Sequence, residues 1–184
     1  MPSNWQKRHF IEQLHEGEVV AYPTEAVFGL GCDPLNSDAV FKLLALKGRS
    51  KSKGLILIAS DFSQITPYIK PLPEAIISTL HAQVQEPTTW LLPVKKWVPK
   101  WLTGGNKTIA IRLTQHILAK ELCELAGMPI VSTSANMSGC APMRTAHETR
   151  LKFSVKGVYT LGGNVGAAKK PSRIIDPFLN KQLR

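Results

Sequence analysis

Apolar residues along the chain follow two alternating periods, one helical and one strand-like. Apolar positions with helical spacing predict helices at residues 3–16, 36–47, 73–84 and 115–126. Thr145 and Glu148 form a capping box that predicts the start of a fifth helix. Short apolar or alternating runs predict strands at residues 18–22, 55–59, 88–94, 108–113, 130–131, 157–161 and 173–175.

This alternation of helices and strands predicts an α/β fold, with a twisted, mixed parallel and antiparallel sheet flanked by helices. Pro93 and the proline-flanked strands argue against a purely parallel Rossmann sheet, because proline cannot donate a ladder hydrogen bond. The length of 184 residues predicts a single domain over residues 1–184.

The composition narrows the class of protein. The longest apolar run, residues 55–59, is too short to span a membrane, and no basic segment leads into an apolar run near Met1. We therefore expect a soluble cytoplasmic protein with no membrane partner. Three widely spaced cysteines, without a cluster of histidines, predict neither a disulfide framework nor a bound metal.

Charge is the unusual bulk property. The chain carries 23 Lys and Arg against 13 Asp and Glu, a formal net charge of +10. Such a surplus favours polyanionic partners, either nucleotides or nucleic acid. No phosphate-binding loop of the form GxxxxGK[ST] occurs, and the run GLGCDP at 29–34 fails the dinucleotide fingerprint at its third glycine position. A nucleotide would need another binding arrangement.

Residues 47–54 place a cation at every second position, Lys47, Arg49, Lys51 and Lys53. In an extended chain these four side chains share one face and suit a polyphosphate. The alternative is a helix end followed by a solvated loop, since cations are favoured at helix C-termini. Charge alone favours that alternative.

Three other segments have the composition of ligand-binding segments. The polar run STSANMSG at 132–139 follows a strand, where open α/β sheets place ligand loops, although a Ser/Thr-rich turn has the same composition. Strand alternation at 108–113 puts Thr108 and Arg112 on one face with Ala110 between them. The loop after residue 22 either presents Thr24 or Glu25 to a substrate or only turns the chain.

The segment KKWVPKW at 95–101 interleaves cations and indoles. This composition suits stacking on nucleic-acid bases, but it more often belongs to an amphipathic surface segment with the indoles packed inward. We favour the surface segment.

Five blocks in order, YPTEAVFGLG at 22–31, KGRSKSKGL at 47–55, TIAIRL at 108–113, STSANMSG at 132–139 and PSRIID at 171–176, resemble the YrdC/TsaC family, most closely its short single-domain branch. The resemblance implies a YrdC-like fold with a basic concave cleft. It also implies synthesis of threonylcarbamoyl-AMP and pyrophosphate from L-threonine, bicarbonate and ATP with Mg²⁺, for the t6A37 modification of tRNA. A downstream t6A transferase complex would take the product, and some members bind double-stranded RNA.

The resemblance also implies roles for individual residues. It implies that Lys47 and Arg49 face the ATP phosphates and stabilise charge during catalysis. The residues implied to bind ATP are Arg49, Lys53, Thr108, Asn136, Arg144 and Arg184. Those implied to bind threonine are Arg112, Ser134 and Ser172. The family pattern has a threonine and a histidine where this chain has Ala26 and Ile58. The alternative function is a double-stranded RNA-binding or ribosome-maturation factor without catalysis.

Overall fold

The computed structural model describes residues 1–82 and 86–183. Its α-helices are α1 (Asn4–His15), α2 (Ser37–Lys47), α3 (Glu74–His81), α4 (Lys100–Thr103), α5 (Ile117–Ala126) and α6 (Ala146–Phe153), and a 3₁₀ helix follows at Ser154–Lys156. Its strands are β1 (Val20–Pro23), β2 (Phe28–Gly31), β3 (Ile56–Ala59), β4 (Thr88–Pro93), β5 (Thr108–Leu113), β6 (Ile130–Ser134), β7 (Tyr159–Thr160), β8 (Arg173–Asp176) and β9 (Lys181–Gln182). No helix within the described ranges is long and apolar enough to cross a bilayer.

The strands form one sheet in the order β7-β1-β2-β6-β3-β5-β4-β8-β9. Three neighbouring pairs are parallel, β1 with β7, β3 with β5 and β4 with β8. The other five pairs are antiparallel. The prediction of a mixed sheet flanked by helices is therefore confirmed.

Residues 28–31, predicted to belong to the loop that begins after residue 22, form strand β2, so that prediction is wrong. Two glycines weaken the strand pattern, yet β2 pairs with β1 on one side and β6 on the other. Gly31 is required by packing, because a Cβ atom there would lie 2.5 Å from the Val131 carbonyl oxygen and 2.8 Å from the Tyr22 ring. Tertiary pairing overrides the low strand propensity of glycine here.

Two other element ends differ from the predictions. The third helix begins at Glu74 and ends at His81, whereas the predicted end at residue 84 lies outside the described residues. Strand β6 continues to Ser134, so the first part of the predicted polar loop belongs to the sheet. The predicted capping box of α6 is confirmed, because the Thr145 hydroxyl accepts from the Glu148 N–H and the Glu148 carboxylate accepts from the Thr145 N–H.

Alternate residues of the central strands belong to two hydrophobic clusters, which therefore lie on opposite faces of the sheet. One cluster joins Ile58 and Ile130 to apolar residues of α1 and α5. The other joins Leu57 and Val131 to α2 and α4. Helices α1 and α5 cover only part of their face, and the uncovered part is where polar residues of β5 and β6 line a cleft.

Candidate active site

A cleft of about 900 Å³ opens on the uncovered part of the sheet face. It is lined from β2, β3, β5 and β6 and from the loops that follow β1, α2 and β6. Seven of the residues that the resemblance implies for substrate binding line it: Arg49, Thr108, Arg112, Ser134, Asn136, Arg144 and Ser172. The predicted alternation in β5 is confirmed, since Thr108, Ala110 and Arg112 all line the cleft.

The charges along the cleft are mainly positive. Five cations line it, Arg49, Arg112, Arg144, Lys169 and Lys170, against the single carboxylate of Glu25 in its described lining. Sequence reasoning missed the two lysines, which lie in the irregular segment 162–172 just before the PSRIID block. The one sequence feature that could have identified these lysines as cleft residues is their position directly before the PSRIID block.

Arg112 and Glu25 meet at the bottom of the cleft. Arg112 is 9% exposed, and its Nη1 lies 3.5 Å from Glu25 Oε2. The other carboxylate oxygen, Oε1, accepts from the Thr114 hydroxyl at 2.7 Å and the Gln115 N–H at 3.3 Å. Burial alone would raise the pKa of Glu25, but the Arg112 guanidinium and these hydrogen bonds hold that pKa below its ordinary value. Glu25 is therefore a carboxylate at neutral pH.

The Lys47 side chain does not line the cleft in the described structure. It ends α2, is 4% exposed, and donates its ammonium hydrogens to the carbonyl oxygen of Ser134, to that of Asn136 at 2.7 Å and to Asn136 Oδ1 at 3.1 Å. The Ser134 hydroxyl donates to the same Oδ1 at 2.6 Å. Burial and the nearby Arg49 lower the pKa of Lys47 to about 8. Lys47 thus fastens residues 134–136, the end of β6 and the start of the loop after it, which we call the 134–136 loop.

Of the two interpretations of residues 47–54, the shared face of four alternating cations is wrong, and the helix end that charge alone favours is confirmed. Lys47 belongs to α2, Gly48 caps that helix with a left-handed backbone, and a turn follows. Arg49 lines the cleft and donates from Nη2 to the Gly54 carbonyl at 2.9 Å. The Lys51 ammonium lies 4.0 Å from the centre of the Phe41 ring, and Lys53 is exposed and outside the described cleft lining. The helix end replaces the extended conformation on which the shared face depended.

Ser172 is buried beside the cleft, where its hydroxyl and that of Thr89 lie 2.8 Å apart. Parallel pairing of β4 with β8 brings these two residues together although they are far apart in sequence. Arg144 is exposed at the edge of the cleft. The predicted ATP contact of Arg184 lies outside the described residues.

The indoles of the 95–101 segment pack against the protein. The Nε1–H of Trp97 donates to the Pro67 carbonyl, and that of Trp101 donates to the Pro34 carbonyl. The rings of Trp97 and Trp101 contact Tyr68 and Phe41. These contacts agree with the amphipathic surface segment, but only Trp101 packs inward as expected, because Trp97 remains 52% exposed.

The described residues contain no group of three or more His, Cys, Asp or Glu side chains placed to hold a metal ion. Cys32 and Cys123 are free and buried, while Cys140 is free and exposed. In the described lining of the cleft, the groups available for chemistry are therefore cations, hydroxyls, the amides of Asn106 and Asn136, and one carboxylate.

The fold and cleft define an α/β protein with a cation-lined cleft on the open face of a mixed sheet. The chain belongs to the Sua5/YciO/YrdC family, because the family model described as "Telomere recombination" matches residues 12–184. A protein of Halorhodospira halophila named threonylcarbamoyl-AMP synthase is 46% identical over 177 residues, or 96% of this chain and 93% of the relative. A protein of Photorhabdus laumondii with the same name is 48% identical over 176 residues, or 95% and 93% of the two chains.

Solved structures agree with this membership. Sua5 of P. abyssi complexed with L-threonine is 34% identical, with a TM-score of 0.86 over 96% of this chain and 52% of that one. The chain therefore spans about half the length of that Sua5. E. coli YciO shares the fold, with a TM-score of 0.76 at 24% identity over 95% of this chain and 86% of YciO.

Proposed function

We propose that this protein synthesises threonylcarbamoyl-AMP from L-threonine, bicarbonate and MgATP, with release of pyrophosphate. The observation that carries the proposal is that seven residues from separate parts of the chain line one cleft rich in cations. Relatives of nearly the same length carry the name of this activity, and a Sua5 with a similar fold was solved with L-threonine.

The proposed binding residues fall into two groups. Arg112, Ser134 and Ser172 would hold threonine, with Arg112 on its carboxylate, since a guanidinium can grip a carboxylate with two donors. The residues proposed for ATP are Arg49, Thr108, Asn136 and Arg144. We add the lysines at 169 and 170 to this group, because both line the cleft and carry positive charge.

The reaction places growing negative charge in this cleft. The threonine ammonium first loses a proton, and the neutral amine forms a carbamate by attacking CO₂, with release of a proton, or bicarbonate, with release of water. A carbamate oxygen then attacks the α-phosphorus of ATP as pyrophosphate leaves. Cations fixed in position stabilise such charge, and one donor contributes about 10²–10³ in rate. Arg49 is the proposed catalytic cation, and Lys47 acts through the loop that it fastens.

Mg²⁺ would enter as MgATP. The Glu25 carboxylate is engaged by the Thr114 hydroxyl and faces the Arg112 guanidinium. Phosphate oxygens, which Mg²⁺ binds readily, would therefore supply its ligands rather than this carboxylate.

The proposed product serves the t6A37 modification of tRNA in the cytoplasm, where a downstream transferase complex would receive it. The net charge of +10 also suits binding of double-stranded RNA or tRNA across the cleft. RNA bound in this way would lose affinity steeply as salt increases.

The test omits RNA. The protein is incubated with MgATP, threonine and labelled bicarbonate, and pyrophosphate and a labelled adenylate are measured. We expect both products, and we expect Arg49→Ala to lower their rate about 10²–10³-fold. Arg8→Ala, on the exposed surface of α1, is the matched control and should keep full activity. Absence of both products together with tight, salt-sensitive RNA binding would instead favour the non-catalytic RNA-binding factor.

A further inference from the structure

Two buried polar atoms at the bottom of the cleft lack a hydrogen-bond partner among residues 1–82 and 86–183. They are Glu25 Oε2 and Arg112 Nε. Buried polar groups in folded proteins are nearly always hydrogen-bonded, and each exception needs an explanation. Glu25 Oε2 is a hydrogen-bond acceptor on a negatively charged group, and Arg112 Nε is a hydrogen-bond donor on a positively charged group. Both residues line the same cleft.

The orientation of Glu25 does not depend on Arg112 alone. Its Oε1 is held by Thr114 and Gln115, and its backbone carbonyl accepts from the Ala168 N–H at 3.0 Å. The 3.5 Å between Oε2 and Arg112 Nη1 is an ion pair without a direct hydrogen bond in the described structure. Hydrogen bonds to Oε1 thus hold the carboxylate in place, while Oε2 lies next to the Arg112 guanidinium.

A ligand that satisfies both atoms must offer a positively charged donor and a negatively charged acceptor close to each other. An α-amino acid has this arrangement, because its ammonium and carboxylate are attached to one carbon. A nucleotide phosphate offers only acceptors, and bicarbonate lacks a positively charged donor. The pair therefore favours a zwitterion over the other proposed substrates.

We propose that Glu25 is a substrate-binding residue that accepts a hydrogen bond from the α-amino group of the amino-acid substrate, while Arg112 holds the α-carboxylate. This inference rests on the proposed function, since it deepens the description of the threonine subsite. It adds the Glu25 carboxylate as the group that positions the α-amino nitrogen, which is the atom that becomes carbamoylated. The amine would then be oriented by the floor of the cleft rather than by the phosphate-binding cations.

The test removes the amine from the ligand as well as the carboxylate from the protein. Binding of threonine and of 3-hydroxybutanoate, which is threonine without its amine, is measured by ligand-observed NMR on the whole protein with a non-hydrolysable ATP analogue. Glu25→Gln keeps an oxygen acceptor for Thr114 but loses the charge. It should weaken threonine binding about 10- to 100-fold, the range for a hydrogen bond to a charged group, and change 3-hydroxybutanoate binding by less than about 2-fold.

Controls separate the possible failures. Glu124→Gln makes the same change on the exposed surface of α5 and should affect neither ligand. Arg112→Gln should weaken both ligands, since both carry the carboxylate. Equal losses for the two ligands in Glu25→Gln would overturn the inference, because Glu25 would then act only through Arg112. If the unmodified protein bound the ATP analogue but not threonine, the proposed function would fail, and the inference with it.

Thermal unfolding and binding of the ATP analogue verify that each variant is folded. If Glu25→Gln does not fold, Glu25→Asp serves instead. The aspartate side chain keeps the negative charge but is one methylene shorter, so its carboxylate lies farther from the bound amine. That variant should lose threonine affinity selectively as well. Unchanged threonine binding in a folded Glu25→Asp protein would count against the inference.

Discussion

Replacing Lys47 with methionine should lower pyrophosphate release at least 100-fold while the protein remains folded. Methionine approximates the length of the lysine stem but removes three hydrogen bonds to the loop at 134–136. That loop carries Ser134 and Asn136 on the cleft wall. The expected loss therefore comes from a displaced loop rather than from a missing phosphate contact.

Two opposing contributions set the effect on stability. Each hydrogen bond from the ammonium contributes about 1.5–3 kcal/mol. Against this, lowering of the Lys47 pKa from 10.5 to about 8 corresponds to a penalty of about 3 kcal/mol on the charged form at neutral pH. The three bonds together outweigh this penalty by about 1.5–6 kcal/mol. We expect Lys47→Met to lower the free energy of unfolding by an amount near the lower end of that range, because the carbonyls released from Lys47 can reach water when the loop opens.

Hydrogen exchange measures the loop directly. The Ser138 N–H donates to the Lys47 carbonyl at 2.9 Å, and in Lys47→Met it should exchange about 10–100-fold faster, as loss of one such charged hydrogen bond implies. Lys42→Met is the matched control, since Lys42 lies on the same helix and pairs with Glu18 on the surface. Threonine binding without ATP should weaken in Lys47→Met only.

Two results would refute this reasoning. Unchanged exchange at Ser138 would show that the loop keeps its position without the ammonium. Unchanged threonine binding together with a lost response to ATP would show that Lys47 acts on the phosphates directly, as the resemblance implied.

Three further outcomes follow from the structure. Urea unfolding at a series of acidic pH values should show that the difference in unfolding free energy between the unmodified protein and Glu25→Gln shrinks as pH falls. The pKa of Glu25 lies below its ordinary value in the folded protein, so its ionisation stabilises the fold above the unfolded-state pKa, and that stabilisation is lost as pH falls through the folded-state pKa. The ¹³C NMR titration of Lys47 should have a midpoint near 8, and Arg49→Ala should raise it, because the mutation removes a neighbouring like charge. Gly31→Ala should lose about 1–3 kcal/mol of stability in urea unfolding, and more than Gly29→Ala, whose added Cβ would come no closer than 3.2 Å to a neighbour.

Local periodicity was sufficient to predict the main helices, most strands and the face of β5 that carries Thr108 and Arg112. Helix caps and strand alternation depend on residues within a few positions of each other, so the sequence displays them directly. Strand β2 escaped prediction, because its two glycines fit the sheet only through neighbours supplied by β1 and β6. The end of the second helix at Lys47 was also predictable, since the favoured interpretation of the cationic segment is a helix end followed by a loop.

The site required longer-range information. Motif blocks identified most of the cleft residues, but not what those residues contact. Lys47 meets Asn136 across 89 positions of sequence, and Arg112 meets Glu25 across a similar separation. Such contacts depend on the order of strands in the sheet, which residue patterns within one strand do not specify.

The position of the cleft follows from which part of the sheet face is left without a helix. Helices α1 and α5 bury Ile58 and Ile130 on this face, whereas Gly29 and Ala110, on the same face, are too small to fill the space above them. The cations around that space repel one another, and a single carboxylate offsets little of the repulsion in the described lining. A bound polyphosphate would relieve this repulsion and so stabilise the folded protein by mass action. The arrangement that makes the unliganded cleft electrostatically unfavourable is therefore the one that would make it selective for an anionic substrate.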